Sequence, residues 1–154
     1  MREIKFRVWD TAQKKMITDG VVHDGGVWND EWEFLSMGLG GDLRLESSCD
    51  NGKDGLHEHA IGFEADRFQL MQFTSLCDKN GKEIYEGDVL SFIYSTDEYR
   101  LISPVFWRED MLGWSVRFSI PKGYAPQFCV LPTLYDIEVI GNIHENIELL
   151  EGLK

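Results

Sequence analysis

A chain of 154 residues with 43% hydrophobic and 12% aromatic side chains is long enough for one compact domain or two very small ones, and lies well outside the disordered class. Its formal net charge of −12 argues against nucleic acid, whose phosphates repel such a surface unless basic side chains are segregated into a patch, and makes proteins the expected partners. Cys49, Cys77 and Cys129 have no CxxC spacing and give neither a disulfide framework nor a four-thiolate zinc site, and no apolar run approaches the roughly 20 residues of a membrane helix.

From Met1 to Arg7 the chain alternates charged and apolar side chains, with no apolar core of an export signal, so a cytoplasmic location is expected. Ile4, Phe6 and Val8 alternate with Lys5, Arg7 and Trp9 at the period of a half-buried strand, and Met16-Ile17 returns as a second, making residues 1–18 a hairpin. Charge is uneven along the chain. Residues 1–18 hold five basic and two acidic side chains, residues 19–64 two and eleven, and residues 65–154 eight and fourteen. In 19–64, Gly25-Gly26, Gly38, Gly40-Gly41, Gly52 and Gly55 interrupt short apolar pieces, which read as loops with short strands or one helical turn.

From Phe68 the pattern becomes regular. Leu70–Leu76, Glu83–Tyr85, Val89–Ser95, Leu101–Trp107, Gly113–Ile120, Phe128–Leu131 and Ile137–Ile143 are short, evenly spaced, strand-like runs, the pattern of a small barrel or sandwich. Asn80-Gly81 supplies the positive φ angles of a tight hairpin, Asp97-Glu98 and Arg108-Glu109-Asp110 fall at later tips, and Asn146 caps a final helical turn. The expected division is an N-terminal β region, 1–67, with its acidic glycine-rich segment, and a small β domain, 68–154.

Three blocks together resemble the YopX family of bacteriophage and prophage proteins. They are Met1-Arg2-Glu3-Ile4-Lys5-Phe6-Arg7-Val8-Trp9-Asp10 with Lys14-Lys15-Met16-Ile17; the segment Met71 to Val89, with Asp78-Lys79-Asn80-Gly81-Lys82-Glu83-Ile84-Tyr85-Glu86-Gly87-Asp88 unbroken; and Ile137-Glu138-Val139-Ile140-Gly141-Asn142-Ile143-His144-Glu145-Asn146 with Leu149-Leu150. The blocks cover roughly a third of the chain, while residues 19–64 and 96–135 look specific to this protein. Where such proteins commonly have Thr-Gly-Leu-Lys-Asp, this chain has Thr74-Ser75-Leu76-Cys77-Asp78, and loss of that glycine is expected to alter the strand-to-turn geometry. The resemblance implies a mainly β fold, with an N-terminal hairpin and an irregular acidic segment packed on a small barrel of the Src-homology-3 type and a short C-terminal helical turn. It implies a phage or prophage accessory protein in the bacterial cytoplasm, and it brings no catalytic or binding residue with it.

No constellation of residues argues strongly for catalysis. His57 and His59 share one side of an extended segment, and with Cys49 and a carboxylate such as Asp54 or Glu58 they are the best zinc candidate, yet no second ligand pair stands at recognised spacing and a solvated loop is the stronger reading. Glu86 and Asp88 resemble an acid/base pair but suit a turn entering a strand, and Cys77 lacks a neighbour in sequence that would activate its thiol. No Gly-x-Ser-x-Gly elbow, phosphate loop or dinucleotide fingerprint occurs.

Trp107, Trp114, Phe118, Tyr124 and Phe128 suggest a stacking platform for bases, but most should be core. The expectation is therefore a non-enzymatic protein-binding module without catalytic residues, cofactor or metal, recognising an unidentified host or phage protein. The alternatives are a nucleic-acid-binding small barrel that presents Lys79 and Lys82 and, behind it, a metal-dependent enzyme. A variant has Asp24, Asp30, Glu31, Glu33, Asp42 and Glu46 mimic a row of phosphates. Trp9, Trp28, Trp32, Trp107 and Trp114, with open strand edges, favour a homo-oligomer, and strand Ile4–Trp9 is the expected pairing element.

Overall fold

The computed structural model describes residues 5–18, 27–28, 33–37, 43–47, 60–62, 67–94, 100–119 and 126–151, with the strands of 27–62 described by their backbone alone. The chain is mainly β: β1 Phe6–Asp10, β2 Lys15–Ile17, β3 Val27–Trp28, β4 Glu33–Met37, β5 Leu43–Ser47, β6 Ala60–Gly62, β7 Phe68–Cys77, β8 Glu83–Tyr85, β9 Asp88–Ile93, β10 Arg100–Pro104, β11 Phe106–Arg108, β12 Gly113–Phe118, β13 Gln127–Val130 and β14 Tyr135–Asn142. A 3₁₀ turn, Leu131–Thr133, precedes β14, and the short helix α1, Glu148–Glu151, follows it. Two compact units divide the chain, one within Lys5–Leu70 and one within Met71–Lys154.

In the first unit β1 and β2 form the expected hairpin, pairing Val8 with Ile17 and Asp10 with Lys15. Its turn is built by Asp10, whose Oδ1 accepts the backbone N–H of Ala12 at 2.9 Å and of Gln13 at 3.1 Å. Arg67 forks onto the same carboxylate through Nε (3.0 and 3.1 Å) and Nη2 (2.7 Å). Burial pushes the Asp10 carboxyl up, but Arg67 and the two amides outweigh it and hold it below the usual aspartate range. β1 lies between β2 and the first residues of β7, with Thr11 donating to the Arg67 carbonyl at 2.9 Å. Its backbone is therefore not the open edge expected of a pairing element between copies. Strands β3 to β6 form an antiparallel meander in chain order, so the expected short strands are present and no helical turn occurs among the described residues of this stretch.

The second unit is a curled half-barrel. One sheet runs β10-β9-β14 and another β11-β12-β13, all antiparallel. They enclose one core of Ile84, Leu90, Phe92, Val105, Trp114, Val116, Phe118, Leu131, Leu134 and Val139. Edge-on packing of Phe92 on Phe118, with centroids 5.5 Å apart, fills its centre. The expected strand Leu101–Trp107 is split at Val105, which follows Pro104; Val105 accepts from Gly87 N at 2.9 Å and donates to the Asp88 carbonyl at 2.8 Å. That bend separates β10 from β11 and starts the second sheet.

Turn chemistry explains most of the family-like residues. In the turn Asp78–Lys82 only Gly81 takes a positive φ (83°), so the turn is not the doubly left-handed type expected of Asn80-Gly81. Instead Asp78 organises it: Oδ1 accepts Asn80 N at 2.8 Å and Lys82 N at 2.9 Å, while Oδ2 accepts Val139 N at 3.0 Å and so staples the turn to β14. Burial raises the Asp78 carboxyl, yet the amides of Val139, Lys82 and Asn80 together hold it below the ordinary range. Upstream, the ladder shifts register between Phe73 and Cys77, and Ser75 sits in that irregularity at φ 69°, where a glycine would be at ease. At the other end of the unit, buried Asn142 accepts His144 N and Glu145 N at 2.9 Å each. Gly141 leaves room for the Asn146 side chain, which a Cβ would strike.

Candidate functional site

Cys49, Asp54, His57, Glu58, His59 and Tyr124 lie outside the described residues, as do Asp24, Asp30, Glu31, Trp32 and Asp42, while Glu33 and Glu46 are carried on β4 and β5. Among the described residues no three His, Cys, Asp or Glu side chains gather as metal ligands. Asp88 is buried and accepts Tyr85 N at 2.8 Å, which gives it the turn role. Burial pushes the Glu86 carboxyl up. Cys77 is exposed at the end of β7. Lys79, expected to present a charge to phosphates, binds Glu138 at 2.8 Å and Asp136 at 3.5 Å. Its ammonium is raised in pKa, chiefly by the Glu138 hydrogen bond.

The strongest surface is the β11-β12-β13 sheet, within the part of the chain outside the three family-like blocks. Directly paired residues share a face, so the register Trp107↔Trp114 and Val116↔Cys129 builds the core side, and Phe106↔Ser115 and Arg117↔Phe128 the outer side. Trp107 and Phe128, each 41% exposed, thus stand on opposite faces, and the five aromatics do not form one stacking platform. On the core side, Trp107 packs edge-on against buried Trp114 at 5.1 Å, and the Trp114 indole N–H has no acceptor among the described residues. On the outer side, the Arg108 guanidinium lies 4.0 Å from the Phe128 centroid and that of Arg117 5.8 Å, with Phe106 edge-on at 6.4 Å.

The β11–β12 hairpin adds exposed apolar groups. Arg108 pairs with Gly113 at the head of a loop in which Leu112 N donates to the Glu109 carbonyl at 3.2 Å. Met111 is 48% and Leu112 79% exposed, and Leu112 is held at φ 46°, a conformation unfavourable for a leucine. Arg108 forks onto Asp110 through Nε–Oδ1 (2.6 Å) and Nη2–Oδ2 (2.7 Å), which fixes the loop and lowers the Asp110 carboxyl. Sequence reading reached Trp107 and Phe128 as core or platform. The exposure of Met111 and Leu112 had one signal, a Met-Leu pair after an acidic turn where glycine or asparagine is the usual choice.

The model of the family described as YopX protein matches residues 5–151. The chain belongs to the YopX family. It is similar to the crystal structure of protein EF1440 from Enterococcus faecalis, at 27% identity and TM-score 0.51, covering 97% of this chain and 99% of that one. It is also similar to protein yopX from Bacillus subtilis, at 22% identity and TM-score 0.55 with the same coverage, a likeness of fold. No curated protein matches the chain. In this YopX chain, Asp10, Asp78, Gly81, Asp88, Gly141 and Asn142 all lie in the family-like blocks, and each is accounted for by turn geometry. No helix among the described residues is long and apolar enough to cross a membrane.

Proposed function

We propose that this YopX-family chain is a non-enzymatic protein-binding module of a phage or prophage, acting in the bacterial cytoplasm on a host or phage protein through the β11-β12-β13 sheet. The observation that carries the reading is the exposure of Met111 and Leu112 together at the β11–β12 tip, with Leu112 kept at positive φ, beside a sheet that also exposes Phe128 on its outer face. Exposed apolar clusters mark interaction sites, and aromatic, Met and Arg side chains are the types enriched in them. A backbone conformation unfavourable for its residue persists where the side chain is needed for another reason.

Site-specific photo-cross-linking tests this. A benzophenone amino acid in place of Leu112 should give a discrete protein adduct in host extract at low and physiological salt, and the same probe in place of Gln13 should give none. No adduct, or identical adducts from both positions, would refute the reading. The same gels report a cross-linked dimer if the surface serves a homo-oligomer. The rival metal-dependent enzyme, with Cys49, His57 and His59 as ligands, requires tightly held metal; less than about a tenth of an equivalent in purified protein removes it.

A further inference from the structure

We propose that the outer face of the β11-β12-β13 sheet receives a carboxylate-bearing, partly apolar segment of a partner protein, with Arg117 as the group that takes the carboxylate. The inference rests on the protein-binding reading above and names the chemistry of the partner.

Two guanidiniums stack on the single ring of Phe128, and they differ in what they bind. Arg108 is already occupied by Asp110 in a two-point fork at 2.6 and 2.7 Å, a built-in example of the ligand this face accepts. Arg117 is exposed near the C-terminal end of β12, the middle strand of the sheet, and has no carboxylate partner among the described residues, although the chain has 27 acidic against 15 basic side chains. Its backbone is fixed, since Arg117 N donates to Ser103 Oγ at 3.0 Å. An arginine already stacked on an aromatic ring loses little freedom on binding, and its planar fork matches a carboxylate. Beside it, Phe128 offers apolar surface and Phe106 supports the ring edge-on at 6.4 Å.

The occupant is a protein segment rather than a nucleic acid. A phosphate backbone requires a row of cations, whereas this face, among the described residues, has one guanidinium neutralised by Asp110 and one without a carboxylate partner. The chain's net charge of −12 disfavours any polyanion, but at physiological ionic strength charges beyond about 8 Å are largely screened, so a single carboxylate in contact with Arg117 is governed by its immediate neighbours.

The test is selection from a displayed library of random 12-residue peptides on the immobilised full chain at physiological salt. Recovered peptides should carry Asp or Glu within a few residues of an aliphatic or aromatic side chain. Affinity for a synthetic copy should fall at least about tenfold with Arg117→Ala, recover only in part with Arg117→Lys, and stay unchanged with Arg100→Ala, whose guanidinium pairs with Asp136 on another sheet. Recovery of no peptide, or of peptides without acidic residues, overturns the proposal. Binding lost with Leu112→Asp or Trp107→Ala but kept in Arg117→Ala also overturns it while upholding the protein-binding module. Displacement of the peptide by a single-stranded oligonucleotide in an Arg117-dependent way overturns the choice of a protein occupant.

Discussion

Two hairpins of the same half-barrel are built on opposite terms. The turn Asp78–Lys82 places glycine where φ is positive and buries a carboxylate that satisfies three amides, one of them on β14. The turn Glu109–Leu112 places a leucine at φ 46° and leaves it 79% exposed. The first turn gives its positive φ to a glycine and lies in a family-like block; the second gives it to an exposed leucine and lies outside them. A conflict of that kind, tolerated on an exposed apolar side chain, marks a surface with another use.

The largest effect should come from removing the carboxylate of the first hairpin. Asp78→Ala leaves the amides of Asn80, Lys82 and Val139 without their acceptor, and with one to several buried donors orphaned the loss should be about 3 kcal/mol in denaturant unfolding. Removing the Glu109 side chain, which holds no such network among the described residues, should change stability by under about 0.5 kcal/mol. Equal losses in both would erase the contrast between the hairpins.

Acid should separate them next. Asp78 is held below its ordinary range, as is Asp10 in the other unit, so each binds its proton more weakly folded than unfolded. Their contribution is full above the unfolded aspartate value of about 3.9 and is lost as pH falls through the lower folded value. Glu86 works in the opposite sense. Its raised folded pKa gives stability that is present below the unfolded value and is lost as pH rises through the folded one. Asp78→Asn should therefore flatten the acid limb of a stability–pH curve, and Glu86→Gln should raise stability near neutral pH; an unchanged acid limb in Asp78→Asn would mean the carboxylate is not held as the geometry requires.

A smaller, opposite change is expected at Ser75. It occupies φ 69° in the β7 irregularity, where similar proteins commonly have glycine, so Ser75→Gly should stabilise by about 0.5–1 kcal/mol. Where the resemblance has glycine, this chain holds a serine at a φ that glycine adopts freely.

Much of this architecture was legible in the chain. Short apolar or alternating runs bounded by turn residues located β7, β8, β9, β12 and β14 to within a few residues. The break at Val105 was not legible, since it depends on hydrogen bonds to Gly87 and Asp88, some 17 residues away in sequence. Nor was the Asp78 to Val139 staple, which joins positions 61 apart. The surface was half-legible: its aromatics could be read from composition, but which of them face outward follows from the register of β12 with its two neighbours.

The central claim is that the β11–β12 tip keeps its leucine for contact with a partner, against its own backbone preference. Leu112→Gly removes an exposed side chain and relieves the positive φ, so the protein alone should become more stable by about 0.5–1 kcal/mol in denaturant unfolding. A loss of stability would show that Leu112 packs within its own chain and is not held out for a partner.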